Sequence, residues 1–122
     1  MRDLKHLNRR RALALALLLF PGVAQAHAIL MDGFPLPNGT MPAGPGQIRL
    51  RFNSRIDVGR SRLVLVLPDH SEQRLAPKPG ASPDTMLAET ALAAGHYQLN
   101  WQVLAVDGHI TRGVVAFTVV AK

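Results

Sequence analysis

Cysteine is absent from this chain of 122 residues. Its absence excludes disulfide bonds, thiolate metal sites and thiol redox chemistry. In an oxidising compartment the hydrophobic core alone must therefore stabilise the fold. Aromatic residues are also scarce, with one tryptophan, one tyrosine and four phenylalanines. We therefore expect Trp101 to be the main aromatic side chain of that core.

A strong charge of one sign is also missing, although the net charge of +6 suggests one. Residues 1–26 contain five basic residues and one acidic residue, so they carry +4 and residues 27–122 carry +2. A surplus of two scattered charges is too small to indicate a nucleic-acid partner. Residues 27–122 are numerous enough for one modest core, near the size of an immunoglobulin-like sandwich.

The apolar run at residues 12–20 is too short for a membrane anchor, because a spanning helix needs roughly 20 such residues. Basic residues precede the run, Pro21 and Gly22 end it, and an A-x-A site closes the segment at Ala26. This three-part pattern predicts a secretory signal over residues 1–26 that is cleaved after Ala26. The mature protein would then be a single secreted domain comprising residues 27–122.

Convincing helical periodicity is missing from the mature chain, and short alternating or β-branched runs take its place. We predict strands at residues 27–31, 47–53, 63–67, 85–89, 95–103 and 114–119 and a weak return strand at 74–75, with loops at 34–39, 42–46 and 77–83. The first strand should lie at a sheet edge, and the apolar run 63–67 should be central. Short strands separated by turn signals predict an all-β sandwich.

The candidate functional residues are His27, Asp107 and His109. Cleavage after Ala26 would give His27 a free α-amine, so one residue could offer two nitrogens to a metal ion. Asp107 adds a carboxylate oxygen and His109 adds an imidazole, on either side of a glycine that permits a tight turn. Three nitrogens and one oxygen suit a tetragonal Cu(II) ion.

Each of these signals also has a simpler interpretation. Asp107 and Gly108 are typical of a hairpin loop, and His109 alone is typical of a surface histidine. His70, in a turn, and His96, on the polar face of a strand, are expected to be solvated rather than bound to metal. The prediction of a metal site therefore depends on the conjunction of an amino-terminal histidine, the D-x-H sequence and the absence of cysteine.

The mature chain resembles the CopC/PcoC family of periplasmic copper-resistance proteins. The resemblance begins with His27 and the F-P-L-P-N-G turn and continues through the strand I-R-L-R-F. It is most specific over residues 92–119, L-A-A-G-H-Y-Q-L-N-W-Q-V-L-A-V-D-G-H-I-T-R-G-V-V-A-F-T-V. The sequence departs from the family pattern at Gln102, Ala105 and Ile110, which affects expected hydrogen bonding around the site and leaves the ligands unchanged.

The resemblance implies a Greek-key β-sandwich or barrel of about seven strands, immunoglobulin-like or cupredoxin-like in outline. It also implies one Cu(II) ion per chain, held by the amine and ring of His27 and by Asp107 and His109. Some family members carry a Cu(I) site on a methionine-rich loop. The mature chain has only Met31, Met41 and Met86, widely separated in sequence, so we expect packing roles for them and no Cu(I) site.

The sequence therefore predicts a monomeric copper carrier or buffer that is not an enzyme. The resemblance further implies that it passes Cu(II) to a CopD-like inner-membrane copper-transport protein. Two other functions remain open at this stage. One is a copper monooxygenase that uses a histidine brace, since that centre also combines an amino-terminal histidine with a second histidine. The other is a structural sandwich domain without metal. Zinc in place of copper is a further alternative, because zinc also takes nitrogen and oxygen ligands.

Overall fold

Two β-sheets packed face to face make up the part of the chain that a computed structural model describes, residues 28–122. Within those residues the strands are β1 (Leu30–Phe34), β2 (Gly39–Pro42), β3 (Gly44–Phe52), β4 (Ile56–Val66), β5 (Glu72–Leu75), β6 (Lys78–Pro79), β7 (Thr85–Leu92), β8 (Gly95–Ala105) and β9 (Ile110–Val120). The four-stranded sheet has the order β1-β3-β7-β6, and the five-stranded sheet has the order β2-β9-β8-β4-β5.

Alternation of side chains explains why these segments form a sandwich. Along β3 the buried residues are Ile48, Leu50 and Phe52, and along β8 every second residue from Tyr97 to Ala105 is buried. Each sheet therefore presents one apolar face, and the two faces bury each other. The ring of Trp101 meets that of Phe52 edge to face, with centroids 5.1 Å apart, at the centre of this core.

The all-β sandwich predicted from the sequence is confirmed, and the two sheets do not close into a barrel. β1 lies at a sheet edge, as expected for the first strand of the mature chain. The described residues form nine strands against about seven predicted, because the short strands β2 and β6 lie in segments rich in glycine and proline. The predicted loop at 42–46 is wrong, since β3 already begins at Gly44 and pairs with β7.

The predicted central strand is part of β4, which is longer than expected and lies between β8 and β5. Leu63 and Leu65 face the core, whereas Val64 and Val66 lie on the outer face and are half-buried. β2 runs parallel to β9, an arrangement that local sequence patterns do not reveal. No helix in residues 28–122 is long and apolar enough to cross a membrane.

Three segments meet at one end of the sandwich, which we call the β8–β9 end. They are the chain start at residues 28–29, the β3–β4 connection at residues 53–55, and the β8–β9 loop at residues 106–109. β3 and β8 end here and β4 and β9 begin here. This end therefore carries the Asp-Gly-His sequence.

Candidate metal centre

The β8–β9 loop is a compact hydrogen-bonded turn. The backbone N–H of Gly108 donates to the Ala105 carbonyl over 2.9 Å, and the N–H of Ala105 donates to the His109 carbonyl over 2.8 Å. Gly108 has a φ of +93°, a left-handed conformation that residues with a Cβ rarely adopt. The turn therefore needs glycine at this position, and it brings the two flanking side chains to the same side.

Asp107 and His109 contact each other directly. The Nδ1 atom of His109 lies 3.1 Å from Oδ2 of Asp107, and the backbone N–H of His109 donates to Oδ1 over 3.1 Å. The side chain of His109 is 55% exposed and that of Asp107 is 32% exposed. Metal–ligand bonds of about 2.0–2.2 Å at right angles separate two ligand atoms by roughly 3 Å. The distance is that of a hydrogen bond between the ring and the carboxylate, and it also equals the separation of two neighbouring ligands of one ion.

The carboxyl group of Asp107 is held in its charged form. Its pKa is lowered from the ordinary 3.8, mainly because the backbone N–H of His109 donates to the carboxylate. Desolvation acts in the opposite direction, while hydrogen bonding and charge interaction with the His109 ring lower the pKa further. Asp107 is therefore an anion at neutral pH, which is the state in which a carboxylate binds metal.

The start of the described chain is fixed at the same end of the sandwich. Ala28 is fully buried in the core cluster. The backbone N–H of Ile29 donates to the side-chain oxygen of Asn53 over 2.7 Å, and the N–H of Asn53 donates to the Ile29 carbonyl over 3.0 Å. This reciprocal pair of hydrogen bonds continues the β1–β3 pairing beyond Leu30 and ties the chain start to the β3–β4 connection.

The β3–β4 connection also contacts the β8–β9 loop. The backbone N–H of Val106 donates to the Arg55 carbonyl over 3.2 Å, and Ile56 pairs with Ala105 in the sheet. Asn53 thus holds the chain start while Arg55, two residues later, holds the residue before Asp107. The sequence alone does not point to Asn53 or Arg55. No local pattern relates Asn53 to a residue 24 positions earlier, or Arg55 to a residue 51 positions later.

No group of three or more histidine, cysteine, aspartate or glutamate side chains in residues 28–122 is arranged to hold a metal ion. Asp107 and His109 supply two of the three predicted ligand residues. The third, His27, lies outside the described residues, as does the predicted signal segment 1–26. The candidate centre therefore consists of one oxygen ligand and one nitrogen ligand side by side. Any further ligand must come from elsewhere.

The other histidines and the methionines of the described chain are not part of this loop. His70 and His96 are both exposed and line one shallow pocket beside the β4–β5 turn, and Nδ1 of His96 lies 3.0 Å from the hydroxyl of Thr118. Met41 and Met86 are buried in the core, which agrees with the packing role predicted for them. Met31 is 57% exposed on β1, so packing does not explain it.

The CopC domain family matches residues 30–120, nearly all of the described chain. The chain belongs to the CopC family. This confirms the resemblance seen in the sequence, and with it the prediction that the protein is not an enzyme. Family membership therefore removes the histidine-brace monooxygenase from the alternatives.

Three relatives illustrate the similarity. Protein YobA of Escherichia coli strain K12 is 32% identical over 98 residues, covering 77% of this chain and 79% of the relative. Copper resistance protein C of Pseudomonas syringae pv. tomato is 32% identical over 111 residues, covering 84% and 87%. The crystal structure of CopC from Methylosinus trichosporium OB3b superposes with a TM-score of 0.71 at 28% identity, covering 78% of this chain and 95% of that one. The similarity extends over whole domains.

Proposed function

We propose that this protein is a periplasmic copper-binding protein that holds one Cu(II) ion at the β8–β9 end and carries or buffers it. The observation that supports this most directly is the contact between His109 Nδ1 and Asp107 Oδ2 at 3.1 Å on an exposed loop. Membership of the CopC family supports copper as the cargo, since one relative is named Copper resistance protein C.

The third ligand residue in this proposal is His27, through its α-amine and its ring. Covalent geometry keeps the Cα atom of any residue within about 3.8 Å of the next one. Ala28 is buried, and hydrogen bonds hold Ile29 to the β3–β4 connection, which also contacts Val106. The anchored chain start and the Asp-Gly-His loop thus both contact the short β3–β4 connection. This shared contact supports the participation of His27.

Proteolytic processing is part of the proposal. The nitrogen of His27 is an amide while residue 26 remains attached, and an amide is a poor ligand at neutral pH. Cleavage after Ala26 would convert that nitrogen into an amine that a metal ion can bind by displacing a proton. The domain of residues 27–122 would then be the functional unit, a monomer that delivers copper to a CopD-like membrane transport protein.

Copper titration of the secreted protein tests the proposal. We expect a single Cu(II) ion per chain, and His109→Gln should weaken binding by more than about 100-fold, because losing even an outer-shell partner costs roughly 10- to 100-fold. His96→Gln is the matched control, since it removes an exposed histidine far from the loop and should leave the affinity within twofold. Equal losses in the two variants would contradict the assignment of the site.

Three further measurements address the ligand set. Mass determination of the secreted protein should show a chain that begins at His27, and the unprocessed precursor should bind Cu(II) at least about 100-fold more weakly than the mature form. Equal binding by precursor and mature protein would remove the amine of His27 from the site.

Electron paramagnetic resonance of the copper-loaded protein should give a tetragonal signal from three nitrogens and one oxygen. Preferential zinc binding would replace copper as the cargo.

A further inference from the structure

The outer face of the five-stranded sheet carries three exposed arginines: Arg62 on β4, Arg74 on β5 and Arg112 on β9. Strand pairing places Arg62 and Arg112 on the two sides of Gln102 in one row across the sheet. Neighbouring strands lie about 5 Å apart, so the Cα atoms of these two arginines are roughly 10 Å apart. Arg74 belongs to the next row, opposite Val64.

Among the described residues these arginines have no acidic partner, in contrast to the two arginines on β3 of the other sheet. Arg49 and Arg51 on β3 both point to Asp32, at 3.6 Å and 3.9 Å from its Oδ2 atom. Within residues 28–122 no carboxylate lies within 4 Å of the guanidinium groups on the five-stranded sheet, except that Arg60 beside the groove pairs with Asp57. Asp32 therefore offsets part of the positive charge on one outer face. On the other face the exposed Glu72 lies on the same strand as Arg74 but makes no ion pair with the three arginines.

The three arginines line one groove of about 570 Å³ on this face. Amide side chains form much of its floor: Nε2 of Gln98 donates to Oδ1 of Asn100 over 2.9 Å, and Nε of Arg112 donates to Oε1 of Gln102 over 2.8 Å. Because Arg112 uses only its Nε atom there, its two terminal nitrogens make no hydrogen bond to the described residues. A second groove of about 670 Å³ shares Arg62 and Arg74 with the first.

We propose that this pair of grooves, which we call the arginine groove, is a docking surface for an acidic, extended polypeptide segment of a partner protein. A guanidinium group binds a carboxylate through two parallel hydrogen bonds. Alternate residues of an extended chain are about 7 Å apart, close to the spacing between successive rows of the sheet. The amide side chains between the arginines can both donate to and accept from the backbone of such a segment.

The shape of the surface favours a polypeptide over a lipid bilayer. The arginines line a concave groove with amide side chains between them, and Val114 is the one exposed large apolar residue among the described residues that line it, at 57%. A membrane-binding surface instead sets a whole apolar face beside its basic residues. The arginine groove also begins near the candidate metal loop, since Arg112 follows His109 by three residues along β9. A docked partner would therefore lie roughly 10 Å from the loop. Docking itself does not require copper, so this proposal is independent of the proposed function.

Fluorescence anisotropy of a labelled octaglutamate peptide, titrated with metal-free protein at low ionic strength, tests the arginine groove. The variant Arg62→Gln/Arg74→Gln should bind about tenfold more weakly, roughly threefold for each exposed ion pair lost. The control Lys78→Gln/Lys122→Gln removes the same charge from β6 on the other sheet and from the chain end, and should change binding less than twofold. Equal weakening in both variants would show that only net charge matters, and would overturn the proposal.

Four further measurements complete the test. The variant Arg62→Lys/Arg74→Lys keeps the charge and loses the planar fork, so its affinity should fall between that of the wild type and that of the glutamine variant. Circular dichroism must show that the variants are folded. Two competitors are tested against the labelled peptide: vesicles that contain phosphatidylglycerol, and inorganic phosphate. Displacement of the peptide by either competitor at a lower concentration than by unlabelled octaglutamate would overturn the proposal. Asp107→Asn should retain peptide binding, which separates this result from any failure of the copper site.

Discussion

At the scale of single residues, the candidate centre depends on three consecutive positions with different tasks. Asp107 supplies an anionic oxygen, His109 supplies an imidazole, and Gly108 adopts the left-handed conformation that lets both face one point. The backbone N–H of His109 both fixes the carboxylate and lowers its pKa. Local structure and ligand chemistry are therefore supplied by the same short turn.

Gly108→Ala should destabilise the protein by about 1–2 kcal/mol, because a residue with a Cβ at a φ of +93° is strained. The added methyl group itself would meet no atom within 4 Å, so the cost should come from the backbone. Urea denaturation measures this change. Gly59→Ala is the control, since its Cβ would make only an ordinary contact of 3.6 Å with Asp57 and its φ is not left-handed. Similar losses in the two variants would contradict the argument.

Copper affinity should fall as the pH decreases, by roughly tenfold per pH unit for each nitrogen ligand once the pH is below that ligand's pKa. Asp107 should not contribute to this decrease near neutral pH. Its pKa is lowered from 3.8, so the carboxylate takes up a proton only below that pH and remains a ligand at pH 6 and at pH 8. Titrations with a competing chelator should show that Asp107→Asn weakens binding by the same factor at both pH values. A factor that vanishes at pH 6 would show that Asp107 is already protonated there.

At the scale of secondary structure elements, β8 and β9 form the long hairpin that carries the β8–β9 loop, with its candidate ligands, at the tip. Their pairing runs without interruption from Gly95 opposite Val119 to Leu104 opposite Ile110. Trp101 pairs with Gly113 in this register, and the indole ring covers the position that a side chain of Gly113 would occupy. The hairpin is thus fixed by the core close to its tip.

Gly113→Ala should destabilise the protein by about 1–3 kcal/mol, because the new Cβ would lie 2.2 Å from Cζ2 of Trp101 and the indole must move. Thermal denaturation gives the size of the effect, and the emission of this single tryptophan reports the movement of the ring. The double variant Trp101→Phe/Gly113→Ala provides the check. Its loss should be smaller than the sum of the two single losses, since the smaller ring leaves room for the methyl group. Strict additivity would mean that the two residues do not clash.

At the scale of the whole molecule, stability comes from one core between two sheets, without any disulfide bond. Phe52 is fully buried at the centre of that core, where its ring meets Trp101. It is also the last residue of β3. The β3–β4 connection that follows contacts both the chain start and the β8–β9 loop. Core packing and the geometry of the β8–β9 end are therefore coupled through this strand.

Phe52→Ala should lower the free energy of unfolding by about 3–5 kcal/mol, because the substitution leaves a cavity between the sheets. For a domain of this size, that is a large fraction of the total stability. Guanidinium denaturation measures the change. Leu36→Ala, at a side chain that is 57% exposed, should change stability by no more than about 0.5 kcal/mol. A loss at Phe52 below about 1 kcal/mol would indicate that the core can collapse around the missing ring.

Local patterns in the sequence were sufficient to predict most of the strands. The alternation at residues 47–53 gave β3, and the alternation after Gly95 gave β8 with Trp101 on its buried face. The patterns failed at β2 and at the start of β3, where glycine and proline are typical of loops. Those segments are strands because β9 and β7 supply hydrogen-bonding partners, a cause that lies outside the segments themselves.

The sequence by itself determined the fold class, the family and the placement of Asp107 and His109 as candidate ligands on either side of one glycine, because these depend on residues close together in the chain. Only the tertiary structure decided that Asn53 and Arg55 join the chain start to the β8–β9 loop, and that three arginines from three strands line one groove. Both arrangements follow from strand pairing between distant segments. The register of that pairing is fixed by how the apolar faces of the two sheets bury each other, which no single segment encodes.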